Sequence, residues 1–198
     1  MYLVDDDIAW VLPHRTAARY TFNVIEKYCT IERGDRLNHR AAKKELLGDR
    51  KLYINVRNPY TRIQSYWRLL QRVEDQNKII DYLELDFESY ILRLRDVERF
   101  TCTGSIHYNL HEGLKYPIAL THYLGDCQIT RVDKLIRFES LYQDLEYVGF
   151  YPVFEKYYGW GYRSDLHLDW YDNHKECAEI VTRLYKKDFK IFNYALIV

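Results

Sequence analysis

Short apolar runs alternate along this chain with longer stretches that carry apolar residues at helical spacing. Positions 8–12, Ile-Ala-Trp-Val-Leu, read as a buried strand closed by Pro13. A polar turn follows, His14-Arg15-Thr16-Ala17-Ala18-Arg19, and residues 17–29 then carry Phe22 and Ile25 on helical spacing. Gly34 marks a turn, and residues 39–47 form a basic amphipathic stretch rich in helix formers. Positions 52–56, Leu-Tyr-Ile-Asn-Val, give the clearest buried strand. That strand runs into Arg57-Asn58-Pro59-Tyr60, where proline suits the first turn of a helix. Residues 61–73 place Ile63, Tyr66, Trp67 and Leu70 at three- and four-residue spacing, which predicts that helix.

Beyond a charged loop at 74–78, residues 86–95 predict a helix with Phe87, Tyr90, Ile91 and Leu94 on one face. Residues 101–113 read as an irregular polar loop, and 114–124 fit a short helix or an extended lid. Residues 129–132 and 135–138 either pair with each other as strands, or the second alone joins the main sheet. Residues 139–148 predict a helix, 151–168 an aromatic loop, and 169–189 one long helix. Strands alternating with helices imply a parallel sheet with crossover connections, in one domain.

Composition narrows the chemistry. Lys+Arg and Asp+Glu balance at 29 each, so no global field favours nucleic acid and any anion site is local. The 20 tyrosines suit either a polar ligand cleft or a tyrosine-rich core. Cys29, Cys102, Cys127 and Cys177 form no CxxC pair, which argues against a zinc site and leaves one or two disulfides open. The first ten residues lack a signal peptide's basic and apolar regions, and no run approaches a membrane span. A soluble, cytoplasmic protein is expected.

In an open parallel sheet, ligands bind beyond the carboxyl ends of the strands. Arg15 and Arg57 each follow such an end. A strand, a tight turn and a helix start place backbone N–H groups and a positive dipole end before an anion. Residues 14–19 are therefore a candidate phosphate or sulfate cradle. An ordinary turn with surface arginines fits the same local pattern, but two such turns on one sheet edge are a stronger signal than either alone.

With these pieces in order, the chain resembles the PAPS-dependent sulfotransferases, in particular the carbohydrate and membrane-associated branch. Residues 56–66, Val-Arg-Asn-Pro-Tyr-Thr-Arg-Ile-Gln-Ser-Tyr, resemble the family's RNPxxRxxSxY motif for the nucleotide 3′-phosphate. Residues 135–141, with Asp144 and Leu145, are similar to its iRfEnL..DL segment. Trp170-Tyr171-Asp172 leading to Tyr185, Asp188, Phe189, Phe192, Asn193 and Tyr194 is similar to its C-terminal ending. The resemblance implies an α/β, P-loop-like three-layer fold, with a central parallel sheet flanked by helices.

It also implies 3′-phosphoadenosine 5′-phosphosulfate (PAPS) as co-substrate and the 3′,5′-bisphosphate (PAP) as product. The acceptor would be a small molecule or glycan, with no nucleic acid partner. Arg57 and Ser65 would hold the 3′-phosphate, while Arg62 is expected to form a surface ion pair. Arg15, Thr16, Ala17, Ala18 and Arg19 correspond to the 5′-phosphosulfate loop, commonly KxGTxx or KxGTR. Arginine stands for lysine at 15, and alanine stands for glycine at 17 and for threonine at 18. An alternative register puts His14 in the lysine position. Arginine neutralises charge but does not readily give up a proton, so Arg15 would act electrostatically.

The general base is expected to be His39, 18 residues before Arg57, with His122 second. His107, His111, Glu32 and Glu139 are weaker candidates, and Glu139 fits a helix cap or sheet anchor better. No metal is expected. Two other classes compete: a sulfotransferase-like nucleotide- or glycan-binding protein without turnover, and a P-loop kinase. The kinase is disfavoured, because a Walker loop needs GxxxxGK[ST] and the first 26 residues hold neither glycine nor lysine.

Overall fold

The structure is a computed structural model that describes residues 1–32, 41–71, 85–97, 108–111, 114–151 and 168–197. Its described residues gather into two compact units. The first comprises Met1–Arg57 and Leu120–Arg163; the second comprises Asn58–Ala119 and Ser164–Val198.

The first unit is a mixed α/β assembly on a five-stranded sheet. Its strands are β1 (Tyr2–Val4), β2 (Ile8–Val11), β3 (Ile31–Glu32), β4 (Lys51–Val56) and the later Val132–Arg137 strand, in the order β3-β1-β2-β4 and then that strand. The pairs β2 with β4 and β4 with Val132–Arg137 are parallel, so their carboxyl ends share one edge. β1 pairs antiparallel with both β2 and β3. Helix α1 (Ala18–Tyr28) follows β2 and buries Phe22, Val24 and Ile25. These pack with Trp10, Leu12, Ile136, Leu141, Leu145 and Phe150 in one apolar core.

Register sets the site. Val11, the last residue of β2, pairs with Ile54, so β4 runs two residues further, through Asn55 and Val56. Alternation along a strand puts Tyr53, Asn55 and Arg57 on one face. Trp10 pairs with Tyr53 and shares that face, its ring 5.3 Å from the tyrosine ring. Asn55 and Arg57 thus project from the overhang of β4 toward the turn that leaves β2.

Several expected elements differ. β1 is a three-residue strand with Asp5 left-handed at φ 46° in its turn, too short for a periodic signal. Only Lys44–Leu47 is helical (α2) within the described part of 39–47. Just before it, the Ala42 N–H donates to the Tyr123 carbonyl at 2.8 Å. Gly125 (φ 59°) lies so close to Ala42 that a Cβ there would sit 2.1 Å from its carbonyl oxygen. The paired-strand option for 129–138 gives way to one strand, Val132–Arg137, which joins the main sheet after a 3-10 turn at Ile129–Arg131. The helix expected over 139–148 begins with a 3-10 turn at Phe138–Ser140. Cys29, Cys127 and Cys177 are free thiols.

The second unit holds α3 (Pro59–Leu70), α4 (Phe87–Leu92), the antiparallel pair β5 (Tyr108–His111) and β6 (Leu114–Pro117), and two C-terminal helices. The β5–β6 pair replaces part of the loop expected at 101–113 and the start of the lid or helix expected at 114–124. The remainder, Leu120–Leu124, belongs to the first unit as a 3-10 turn. In the first unit the sheet's last strand, Val132–Arg137, is β7, and the helix after it is α5 (Leu141–Tyr147). The long helix expected over 169–189 is a 3-10 turn at Leu168–Asn173, then α6 (Lys175–Leu184) and α7 (Lys186–Phe192), broken at Tyr185.

Tyrosine builds this second core. Tyr90, Tyr171 and Tyr185 are at most 1% exposed and donate their hydroxyls to the carbonyls of Lys115, Tyr60 and Pro117. Burial pushes the Tyr171 and Tyr185 hydroxyl pKa values well above the usual tyrosine range. These three tyrosines therefore serve as core residues with satisfied polar tips. No helix among the described residues is long and apolar enough to cross a membrane.

Candidate functional site

Two β-strand ends in the first unit converge on one turn. After Val11 the chain passes through Leu12 and Pro13 and enters the turn at 14–17. Arg15 (φ 67°) and Ala17 (φ 61°) are left-handed, while Thr16 between them is not. A left-handed conformation costs a non-glycine residue about 1–2 kcal/mol. Strain of this kind persists only where surrounding contacts over-determine the backbone. Alternating backbone hands also curve successive N–H groups into a concavity suited to anions.

Three side chains over-determine this turn. The Thr16 hydroxyl donates to the Pro13 carbonyl at 2.7 Å, and Thr16 is fully buried. The Asn55 carboxamide donates to the Thr16 carbonyl at 3.0 Å and to the Thr21 hydroxyl at 2.7 Å. Its oxygen accepts the Trp10 indole N–H at 2.8 Å. The Arg57 guanidinium donates to the Arg15 carbonyl at 3.3 Å and lies 3.7 Å from the centre of the Phe138 ring. Arg57 is 5% exposed, so the cation–π contact acts in a largely desolvated setting.

Helix α1 starts from this turn without help from its own sequence. Its N-cap, Ala17, offers no side-chain acceptor, and its first turn holds no acidic residue. Arg19 sits in that first turn and is exposed, while Arg15 is half-buried just before it. Cations at a helix N-terminus oppose the macrodipole, and an anion placed there would reverse that penalty. The other two parallel strands end differently. After β4, Asn58 caps α3 by accepting the Tyr60 N–H at 3.0 Å. After β7, the Asp144 carboxylate accepts from the Arg137 N–H at 2.8 Å and the Ser140 hydroxyl at 2.9 Å. It also pairs with Lys134 at 3.3 Å.

The expected site residues are distributed unevenly. Arg15, Thr16, Ala17, Ala18, Arg19 and Arg57 lie together in the first unit, at the turn and the strand end beneath it. Ser65 lies on α3 of the second unit and is 4% exposed. His39 and His107 fall outside the described residues, as do the side chains of His111 and Glu32. His122 is exposed in the 3-10 turn Leu120–Leu124, and its side chain has no hydrogen bond or ion pair among the described residues. Glu139 is exposed beside Phe138, and Asp144 fastens the strand end there. Arg62 is not at the surface: it is 1% exposed and donates to the Ile118 carbonyl at 2.7 Å.

Asn55 and Trp10 are the residues that pattern reading passed over. The signal was present, since a carboxamide in the middle of an apolar strand must find buried partners. Among the described residues no group of three or more His, Cys, Asp or Glu is placed to hold a metal ion. No protein-family model matches the chain, and neither a curated protein nor a solved structure matches it.

Proposed function

We propose that this protein binds PAPS and transfers its sulfuryl group to a hydroxyl or amine of an acceptor, with a carbohydrate as the favoured class. The observation that carries the reading is the convergence of Arg57 on the left-handed turn at 14–17, where α1 begins with two arginines and neither cap nor acid. This strand–turn–helix start would be the P-loop-like element of the fold. The backbone N–H groups of the turn, with Arg15 and Arg19, would hold the 5′-phosphosulfate. The Arg57 guanidinium is a planar fork of donors of the kind that suits a phosphate oxygen pair, and it also braces the turn through the Arg15 carbonyl. The reading stands on residues of the first unit alone.

In the transfer, the acceptor gives its proton to a histidine, His39 or His122. A sulfur–oxygen bond to the acceptor forms as the one to the 5′-phosphate breaks, releasing PAP. Arg15 acts by stabilising charge on the departing phosphate.

A second reading, nucleotide binding without turnover, is favoured by the Thr16 hydroxyl. That group is engaged by the Pro13 carbonyl and fully buried, so the turn presents no hydroxyl to the leaving phosphate. Titration calorimetry tests both readings. PAP is expected to bind at least about tenfold more tightly than AMP, since a hydrogen-bonded charged group contributes about 1.5–3 kcal/mol. Equal binding of the two, or no binding, removes the nucleotide reading. Binding of PAP with no transfer from PAPS to an acceptor panel selects the second.

A further inference from the structure

We propose that Asn55 is the positioning residue of the anion turn, aiming the Thr16–Ala17 peptide so that its N–H faces the ligand while Asn55 itself touches none. This rests on the nucleotide reading of the turn. A trans peptide is planar, with its C=O and N–H pointing in opposite directions. Asn55 draws the Thr16 carbonyl toward β4 at 3.0 Å, so the Ala17 N–H is directed away from the sheet. Arg57 acts on the preceding peptide in the same sense: it draws in the Arg15 carbonyl and so directs the Thr16 N–H outward.

The carboxamide is itself immobilised. Asn55 is fully buried, and its oxygen takes the Trp10 indole N–H. Its nitrogen serves both Thr16 and Thr21, so both N–H bonds are used in one orientation. Trp10 stands on β2 and Thr21 on α1, so one side chain ties the strand before the turn, the turn, and the helix after it. The overhang of β4 beyond Val11 places Asn55 at this junction. An anion site with its dipoles fixed in advance reorganises little on binding.

The test uses the isotope-labelled full chain, with PAP and inorganic sulfate as separate probes and amide resonances as the readout. In the natural chain, either probe is expected to move the Thr16 and Ala17 amide protons downfield. Asn55→Asp keeps the acceptor for Trp10 and removes both donors. It is expected to weaken PAP about 10- to 100-fold and to abolish the Ala17 response. Thr21→Val leaves the Thr16 bond in place; it is expected to lower the melting temperature while keeping PAP affinity within about twofold.

The proposal is overturned if PAP binds the natural chain without moving the Ala17 amide, a result that needs no variant to fold. It is also overturned if folded Asn55→Asp binds PAP within twofold of the natural chain. Absence of PAP binding removes the nucleotide reading instead, and sulfate then decides the positioning role. An Ala17 shift with sulfate that Asn55→Asp loses upholds it, and no shift in the natural chain overturns it.

Discussion

The turns after β2 and β4 both leave a parallel strand and start a helix, yet they are built in opposite ways. The turn after β4 closes on itself: Asn58 accepts the Tyr60 N–H, and Pro59 occupies a helix position that needs no donor. The turn after β2 has no such device. Its cap is an alanine, two of its residues are left-handed, and its first helical turn adds Arg19. Apart from the Thr16 hydroxyl on the Pro13 carbonyl, what holds it in shape comes from elsewhere in the unit, from Asn55 on the neighbouring strand and Arg57 just past that strand's end. A self-capped helix start satisfies its own N–H groups and is finished as structure. A helix start held from behind keeps its polar face for something else.

This contrast yields a graded set of outcomes. The largest is expected at Arg57. Arg57→Ala removes the brace on Arg15 and the guanidinium fork together, and PAP affinity is expected to fall at least about 30-fold by calorimetry. Arg57→Lys is expected to recover little, because an ammonium cannot reproduce the planar fork. Full affinity in a folded Arg57→Ala chain would erase the functional half of the comparison.

A smaller effect is expected at the closed turn. Asn58→Ala removes the cap of α3 and is expected to cost about 1 kcal/mol in chemical denaturation. The response of the Ala17 amide to sulfate should stay unchanged. A loss of that response would mean that the two turns are not independent.

The smallest effect is expected at Ala17, and it has the opposite sign. Ala17→Gly relieves a left-handed alanine at the expense of a more flexible unfolded chain, for a net gain of about 0.5 kcal/mol in stability. It also restores the residue that the resembled motif carries there. A clear destabilisation would mean that the turn does not need the left-handed backbone described here.

Much of the first unit, and the helix that opens the second, was legible because the signals are local. The runs at 8–12 and 52–56 are too apolar to be anything but buried, and Pro59 announces a helix start. The observed β2, β4, α1 and α3 fall within a few residues of those expectations. Arg62 misled because charge argues for the surface, whereas its position in α3 turns it inward to the Ile118 carbonyl. The expected helix over 169–189 misled for a related reason. Ile180, Leu184 and Tyr185 continue an apolar stripe, and nothing in the pattern marks the break at Tyr185, whose hydroxyl reaches the Pro117 carbonyl.

By itself, the sequence determined which stretches are buried strands, which are amphipathic helices, and that arginines follow two strand ends, since apolar periodicity and proline act on neighbours in the chain. Only the tertiary structure decided that β4 overhangs β2 by two residues, bringing Asn55 and Arg57 beneath a turn about 40 residues earlier. That is a matter of register between strands, and the hydrogen bonds that express it form only once the sheet has assembled.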